Sequence, residues 1–333
     1  MWQKETIIML ILGLQGSPRK KGNTHDLLSM FADEARQSGV RIEIIDVPRI
    51  DITPCKGCFY CEKKGVCITK DDAMNASVFP LMRQADIIVT AVPIYFYNVP
   101  GQLKNLIDRT QTLWARKYRF KLTDPGRRWR KGFLLSVGAT RGKNLFEGIH
   151  LTMKYFYDAV GANYHANDCL TYRQIEHRGD MRKHETVLSD IQNAFQTLIK
   201  PYINRKRVLF ACRENACRSQ MASAFTRYYA GDRLEPVSGG SAPAAAINPL
   251  MVTVMQEKGI DMAYRAPRSI ETAIGSKAPE TVVTMGCDEN CGFIPGAKID
   301  QWDLDDPAEQ DIRFMRRVRD QIETNVKTLI NRL

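Results

Sequence analysis

An apolar run from Val208 to Ala211 ends on Cys212, and six residues later the chain returns Arg218 and then Ser219. Few folds satisfy that order. A buried strand must deliver the thiol at its C-terminal end. The loop after it must turn backbone N–H groups inward at the start of a helix, where the dipole favours negative charge. A helical apolar stripe follows as expected, with Met221, Ala224, Phe225 and Tyr228. The same field favours the thiolate form of Cys212. Arg218 adds a planar fork that can grip two oxygens of a tetrahedral anion, and the Ser219 hydroxyl can hydrogen-bond the sulfur, with Asn215 inside the loop. A thiolate beneath a bound oxyanion is placed for attack. The plainer alternative is a pair of buried cysteines at a strand end.

These residues resemble the signature of the low-molecular-weight protein tyrosine phosphatase superfamily, which includes arsenate reductases coupled to thioredoxin, over roughly residues 205 to 333. The resemblance leaves two activities open. A phosphatase needs only nucleophile, arginine and general acid, whereas a reductase must also deliver two electrons, which thiols can supply. After the strand-like Thr281 to Val283, the run Thr284-Met285-Gly286-Cys287-Asp288-Glu289-Asn290-Cys291 is similar to the Met-Gly-Cys-x3-Cys variant of those reductases. It implies that Cys287 attacks the Cys212 adduct and Cys291 takes over the disulfide. Gly292 stands where the relatives usually place proline. Trp302 to Ala308 resembles the family's Asp-Asp-Pro-Ala loop, implying Asp306 as the acid that protonates the leaving oxygen. An acidic turn of Asp303, Asp305 and Asp306, capping a helix that starts near Glu309, is the alternative. No tyrosine follows Asp306-Pro307 directly, which counts against aryl phosphate substrates.

The N-terminal half predicts different chemistry. An apolar stretch from Ile7 to Leu14 runs into a Gly16 to Thr24 loop and a helix from about His25 to Gln37, a phosphate cradle. Further strands are expected at Arg41 to Asp46, Asp86 to Val92 and Gly132 to Val137. Aromatics follow the third strand, and glycines the fourth. The pattern resembles the flavodoxin-like NAD(P)H-dependent flavin reductases over roughly residues 6 to 198. That resemblance implies FMN, with its phosphate held by Ser17, Arg19, Asn23 and Thr24. The isoalloxazine would lie near Pro93, Ile94, Tyr95, Phe96, Tyr97 and Asn98, and near Gly138, Ala139 and Thr140. Ordinary core packing is the alternative for the aromatic run. Between the second and third strands, Cys55, Cys58, Cys61 and Cys67 form a Cys-x2-Cys-x2-Cys-x5-Cys run similar to the ligand run of iron–sulfur flavoproteins, which hold a 4Fe–4S cluster beside FMN. Zinc, or a cysteine loop without metal, remain the alternatives.

At 333 residues the chain has room for two cores. The expected class is α/β, two three-layer αβα domains. A flavodoxin-like parallel sheet in residues 1–200 is followed by a low-molecular-weight phosphatase-like parallel sheet in 205–333. A helix from about Met181 to Ile199 closes the first, and Lys200 to Arg207 is expected to be a short basic linker. The run at Ile7 to Leu14 is too short to span a bilayer and lacks a small-residue cleavage site. Nine cysteines, most in chemically legible motifs, fit a reducing compartment, so a cytoplasmic location is expected, with no membrane partner. Cys169 is expected to be a buried structural thiol. The net charge of +11 and the cluster Arg127-Arg128-Trp129-Arg130-Lys131 come without a recognition-helix or RNA-binding signature, so nucleic acid is not expected. A solvated loop is the plain expectation for the cluster, and attraction of anionic ligands the functional alternative. The flavin-reductase resemblance also implies a homo-oligomer through that domain.

The function expected is arsenate reduction by a relay of Cys212, Cys287 and Cys291, with NAD(P)H and FMN as an electron supply in the same chain. The alternatives are a reductase that still depends on thioredoxin, a phosphatase fused to a flavoprotein, and an oxyanion or redox sensor without turnover.

Overall fold

The computed structural model describes residues 9–275, 277–286 and 294–333. The chain divides into two compact units, Met1–Lys121 with Arg127–Ile203, and Leu122–Gly126 with Asn204–Leu333.

The first unit is built on parallel strands β1 (Leu10–Gln15), β2 (Arg41–Asp46), β3 (Ile87–Pro93), β4 (Lys131–Val137), β5 (Asn163–Tyr164) and β6 (Leu170–Tyr172). Their order is β2-β1-β3-β4-β5, with β6 also on β4. The fifth position is thus a broken strand: β5 pairs with the start of β4 and β6 with its end. Strand β1 is buried along its whole length and β3 nearly so, as expected of parallel strands covered on both faces. Helices α1 (Asn23–Gln37), α2 (Tyr60–Lys64), α3 (Phe79–Gln84), α4 (Gly101–Arg109), α5 (Gln111–Tyr118), α6 (Glu147–Val160), α7 (Asp180–Lys183) and α8 (Val187–Ile199) surround the sheet. Phe31 of α1 stacks on Phe133 of β4 at 5.9 Å and meets Phe195 of α8 edge-on at 5.7 Å, joining α1 and α8 to the sheet.

The second unit repeats the plan with β7 (Lys206–Cys212), β8 (Leu234–Gly240), β9 (Thr281–Thr284) and β10 (Lys298–Gln301), parallel and ordered β10-β9-β7-β8. Helices α9 (Arg218–Ala230), α10 (Pro249–Glu257), α11 (Ile270–Ile274) and α12 (Ile312–Arg332) pack on it. Phe210, Met221, Phe225, Met255 and Val326 form part of its core. In both units the first strand lies between the second and third. The chain direction therefore switches beside it, opening a crevice at the C-terminal ends of β1 and β3, and of β7 and β9.

Several expectations need correction. The helix expected over 181–199 is two, α7 and α8, broken at His184, whose backbone is extended. The expected basic linker is structured. Tyr202 is buried with its hydroxyl donating to the Trp129 carbonyl, and Lys206 and Arg207 already belong to β7. The 127–131 cluster is not a solvated loop, because Arg130 is fully buried and donates to the carbonyls of Arg83, Ala85, Val160 and Gly161. Four carbonyls replace the water that the charges suggest. Cys169 is half-buried rather than buried; its thiol donates to the His165 carbonyl at 3.4 Å, and burial raises its pKa. Helix α12 begins at Ile312, later than Glu309, because the Asp311 carboxylate accepts the Phe314 N–H at 2.8 Å and caps it. Among the described residues no helix is long and apolar enough to cross a membrane.

Glu323 of α12 ties three elements of the second unit together, accepting from Lys327 at 2.7 Å, from the Tyr229 hydroxyl of α9 at 2.6 Å and from Lys258 beyond α10 at 2.9 Å. Burial opposes its charge, but these donors outweigh it and depress its pKa from 4.5 to about 2. A depressed carboxylate stabilises the fold in full above its unfolded value and loses that contribution as pH falls through its folded value. Denaturant unfolding followed from pH 4.5 to 2 should therefore show a shallower loss of stability in Glu323→Gln than in the parent chain. Equal slopes would contradict this account of the cluster.

Candidate active site

Strand β7 delivers Cys212 to the C-terminal edge of the sheet, and α9 begins at Arg218, so the residues between them form a loop at a helix N-terminus. Cys212, Asn215, Cys217, Arg218 and Ser219 are all buried. Asn215 adopts a left-handed backbone, φ 53°, a conformation asparagine tolerates better than most side chains. Its side chain then organises the sulfur. The Asn215 carbonyl oxygen accepts the Arg268 backbone N–H at 3.0 Å and the Gln220 amide at 3.1 Å. That fixes its NH2 as the donor to Ser219 Oγ at 2.7 Å. Ser219 must accept there, which leaves its own hydrogen for Cys212 Sγ at 3.0 Å, a bond that strengthens as the sulfur gains negative charge.

Arg218 and Asp306 form an ion pair. Arg218 Nη2 donates to Asp306 Oδ2 at 2.8 Å and Nη1 to the Leu304 carbonyl at 3.2 Å, while Asp306 Oδ1 accepts the Ala308 N–H at 3.1 Å. The guanidinium is buried and the carboxylate more than half exposed, so the pair spans the rim of the loop. Cys217 is a second buried cysteine of the loop. Burial, and then the neighbouring sulfur, push its pKa up to about 12, which keeps it a neutral thiol.

Two glycines make room for this loop. A Cβ on Gly240, at the end of β8, would lie 2.6 Å from the Arg213 carbonyl oxygen and 2.9 Å from the Asn215 nitrogen. Gly286 has φ 64°, and a Cβ there would lie 2.7 Å from Arg218 Nη1. Since β9 pairs with β7 and the Met285 N–H donates to the Ala211 carbonyl at 2.9 Å, the residue before Cys287 sits against Arg218. Cys287 and Cys291 themselves lie outside the described residues.

In the first unit the expected FMN residues occupy the C-terminal ends of β1, β3 and β4. Ser17 and Thr24 are buried at the loop that opens α1, and Arg19 is exposed. The Asn23 side chain is committed elsewhere: it donates to the His177 carbonyl at 2.8 Å and accepts N–H groups from Gly179 and Met181. It ties α1 to that loop. Gln15, the last residue of β1, accepts the Ser17 N–H at 3.3 Å, and its Nε2 is buried without a hydrogen-bond partner among the described residues. After β3, Tyr95 and Asn98 pair across a turn that holds Phe96 and Tyr97 left-handed and leaves Phe96 fully exposed. Pro93 and Ile94 lead into this turn and are half-buried. Gly138, Ala139 and Thr140 follow β4 beside it, and a Cβ on Gly138 would lie 3.6 Å from Ile94 Cγ1.

Cys55, Cys58, Cys61 and Cys67 line one pocket of about 330 Å³, together with Phe59, Arg109 and Gln111. Burial, and then the Cys67 and Cys55 sulfurs, raise the Cys61 pKa. Among the described residues no group of three or more His, Cys, Asp or Glu is placed to hold a metal ion. Gln15, Gln220, Arg268, Asp72 and Arg109 were not legible as site residues. Only Gln15 carried a signal, a polar residue closing an otherwise apolar strand.

Residues 9–161 match the NADPH-dependent FMN reductase family, and residues 207–333 the low molecular weight phosphotyrosine protein phosphatase family. An iron–sulfur flavoprotein of Archaeoglobus fulgidus is 42% identical over 113 residues, 34% of this chain and 54% of that protein, so the chain spans about half the length of that relative. Arsenate reductase 2 of Staphylococcus haemolyticus is 34% identical over 133 residues, 39% of this chain and 100% of that protein. The solved thioredoxin-dependent arsenate reductase of Corynebacterium glutamicum is 29% identical, aligned over 44% of this chain and 75% of that one with a TM-score of 0.34.

A hydrogen bond to a charged sulfur contributes about 1.5–3 kcal/mol, so Ser219→Ala should slow iodoacetamide alkylation of Cys212 at neutral pH by about tenfold or more. An unchanged rate would show that the hydroxyl does not donate to the sulfur. Added phosphate should raise the melting temperature of the parent chain, and Gly240→Ala should abolish that rise. An equal rise in the variant would mean that the loop tolerates the methyl group.

Proposed function

The chain belongs to the low molecular weight phosphotyrosine protein phosphatase family over its second unit and to the NADPH-dependent FMN reductase family over its first, and from that premise we propose that it is an arsenate reductase with an electron supply in the same chain. One observation carries the reductase reading: the segment entering the second cysteine motif reaches the oxyanion loop, with Gly286 against Arg218. A phosphatase has no need of thiols there.

Loop N–H groups and the Arg218 fork hold arsenate at the start of α9, and the Cys212 sulfur attacks arsenic. An oxyanion that takes the Arg218 fork displaces Asp306 from it, leaving that carboxyl able to carry the proton that the departing oxygen takes as water. Cys287 then attacks Cys212: the S–S bond forms, the arsenic–sulfur bond breaks, and arsenic leaves as arsenite with two more electrons. Cys291 attacks Cys287 and frees Cys212. The balance is one arsenate and two thiols to one arsenite, one disulfide and one water.

The orphaned Gln15 amide beside a helix N-terminus suits a phosphate-bearing ligand. Ser17, Arg19, Thr24 and the first N–H groups of α1 would hold the FMN phosphate, and the Pro93 to Asn98 and Gly138 to Thr140 segments the ring. Bound there, FMN would supply two-electron chemistry between NAD(P)H and an acceptor. Cys55, Cys58, Cys61 and Cys67 would hold a 4Fe–4S cluster, a group suited to one-electron transfer. Tethering the two units gives the disulfide and its reductant a high effective concentration.

Full-length chain given NADPH and arsenate, with no thioredoxin, should produce arsenite continuously, and Cys212→Ser, Cys287→Ser or Cys291→Ser should each stop it. Arsenite that forms only after thioredoxin is added would refute the supply within the chain. Hydrolysis of para-nitrophenyl phosphate that survives Cys287→Ser and Cys291→Ser, without arsenite formation, would refute the reductase.

A further inference from the structure

Helices α4 and α5 grip the four-cysteine loop with side chains that belong to no motif. Arg109, the last residue of α4, has a side chain about 1% exposed. Its Nη1 donates to the Thr53 carbonyl at 2.7 Å and to the Asp72 carboxylate, and its Nη2 donates to the Thr69 carbonyl at 3.1 Å. Thr53 lies two residues before Cys55 and Thr69 two after Cys67. One guanidinium therefore closes both ends of the loop. Asp72 completes the tie by accepting N–H groups from Thr53 and Met74. Arg116 of α5 donates to the Gly65 carbonyl at 2.9 Å, and Gln111 and Arg119 both reach Glu62.

A buried cation is tolerated only when its donors are used and its charge is met. The Asp72 carboxylate, about 1% exposed like its partner, meets the charge of Arg109. Its Nε is nonetheless buried with no hydrogen-bond partner among the described residues, in a residue that lines the pocket of the four cysteines.

We propose that Arg109 is the positioning residue of this loop: paired with Asp72 it ties the two ends together, and it sets a positive charge beside the anionic centre that Cys55, Cys58, Cys61 and Cys67 hold. The second half of this inference rests on the cluster reading given above. A cluster held by four thiolates grows more negative on reduction, so a nearby cation in a low-dielectric site favours the reduced state. Removing it should lower the midpoint potential.

The test uses the full-length chain as Arg109→Met, Arg109→Lys and Asp72→Asn. Hydrogen exchange in the metal-free protein reads the tie directly. Breaking a buried pair should speed exchange across residues 52–70 by about tenfold or more in Arg109→Met, while β1, β3 and β4 keep their protection. After anaerobic reconstitution with ferrous iron and sulfide, Arg109→Met should hold less iron and its remaining cluster should have a lower midpoint potential. Arg109→Lys keeps the charge and should bring the potential back toward that of the parent without restoring loop protection. Parent-like exchange in Arg109→Met would overturn the tie, and an unchanged potential in a loaded Arg109→Met would overturn the electrostatic role. A parent chain that takes up no iron would refute the cluster reading and with it the electrostatic half, leaving exchange to decide the tie. If Arg109→Met fails to fold, Asp72→Asn carries the exchange test, and parent-like protection there overturns the tie.

Discussion

The oxyanion site depends on one directed hydrogen-bond chain. Backbone and side-chain donors of Arg268 and Gln220 fix the Asn215 amide, that amide fixes Ser219 as an acceptor, and the serine has only its hydrogen left to offer Cys212. The links from Gln220 through Asn215 and Ser219 to Cys212 are buried, so those partners have no solvent alternative and the orientation passes along without ambiguity. The left-handed turn at Asn215 and the bare edge of Gly240 are the backbone conditions for that chain. A nucleophile and an anion cradle then arise from the same loop.

The two units share one topological solution. Each places its first strand between its second and third and puts a loop and a helix N-terminus at the resulting crevice. The chemistry diverges through what the neighbouring strand ends supply. Strand β9 leads to Gly286 beside Arg218, whereas β3 and β4 lead into exposed aromatics and glycines. The cysteine loop of the first unit is held by α4 and α5, remote in sequence from the residues they grip.

What could be read from the sequence was local. Strand β2 was legible to the residue, and the Cys212 loop was legible because its chemistry is compressed into eight consecutive positions. The ties that make these loops work were not. Asp72 and Arg109 stand 37 residues apart, and Asn215 and Arg268 stand 53 apart, so no spacing rule links them. Charge also misled: Arg130 looked solvated but spends its donors on buried carbonyls, and the helix expected over 181–199 is broken at His184.

The central claim is that the second unit reduces its oxyanion with its own thiols. The direct measurement is a single anaerobic turnover: full-length chain with its thiols reduced, freed of flavin and iron, mixed with excess arsenate, with no NADPH and no thioredoxin, followed by counting arsenite and remaining thiols. The stoichiometry predicted is one arsenite formed and two thiols lost per chain, with the new disulfide mapped to Cys287 and Cys291. Arsenate left unreduced with every thiol intact would contradict the account.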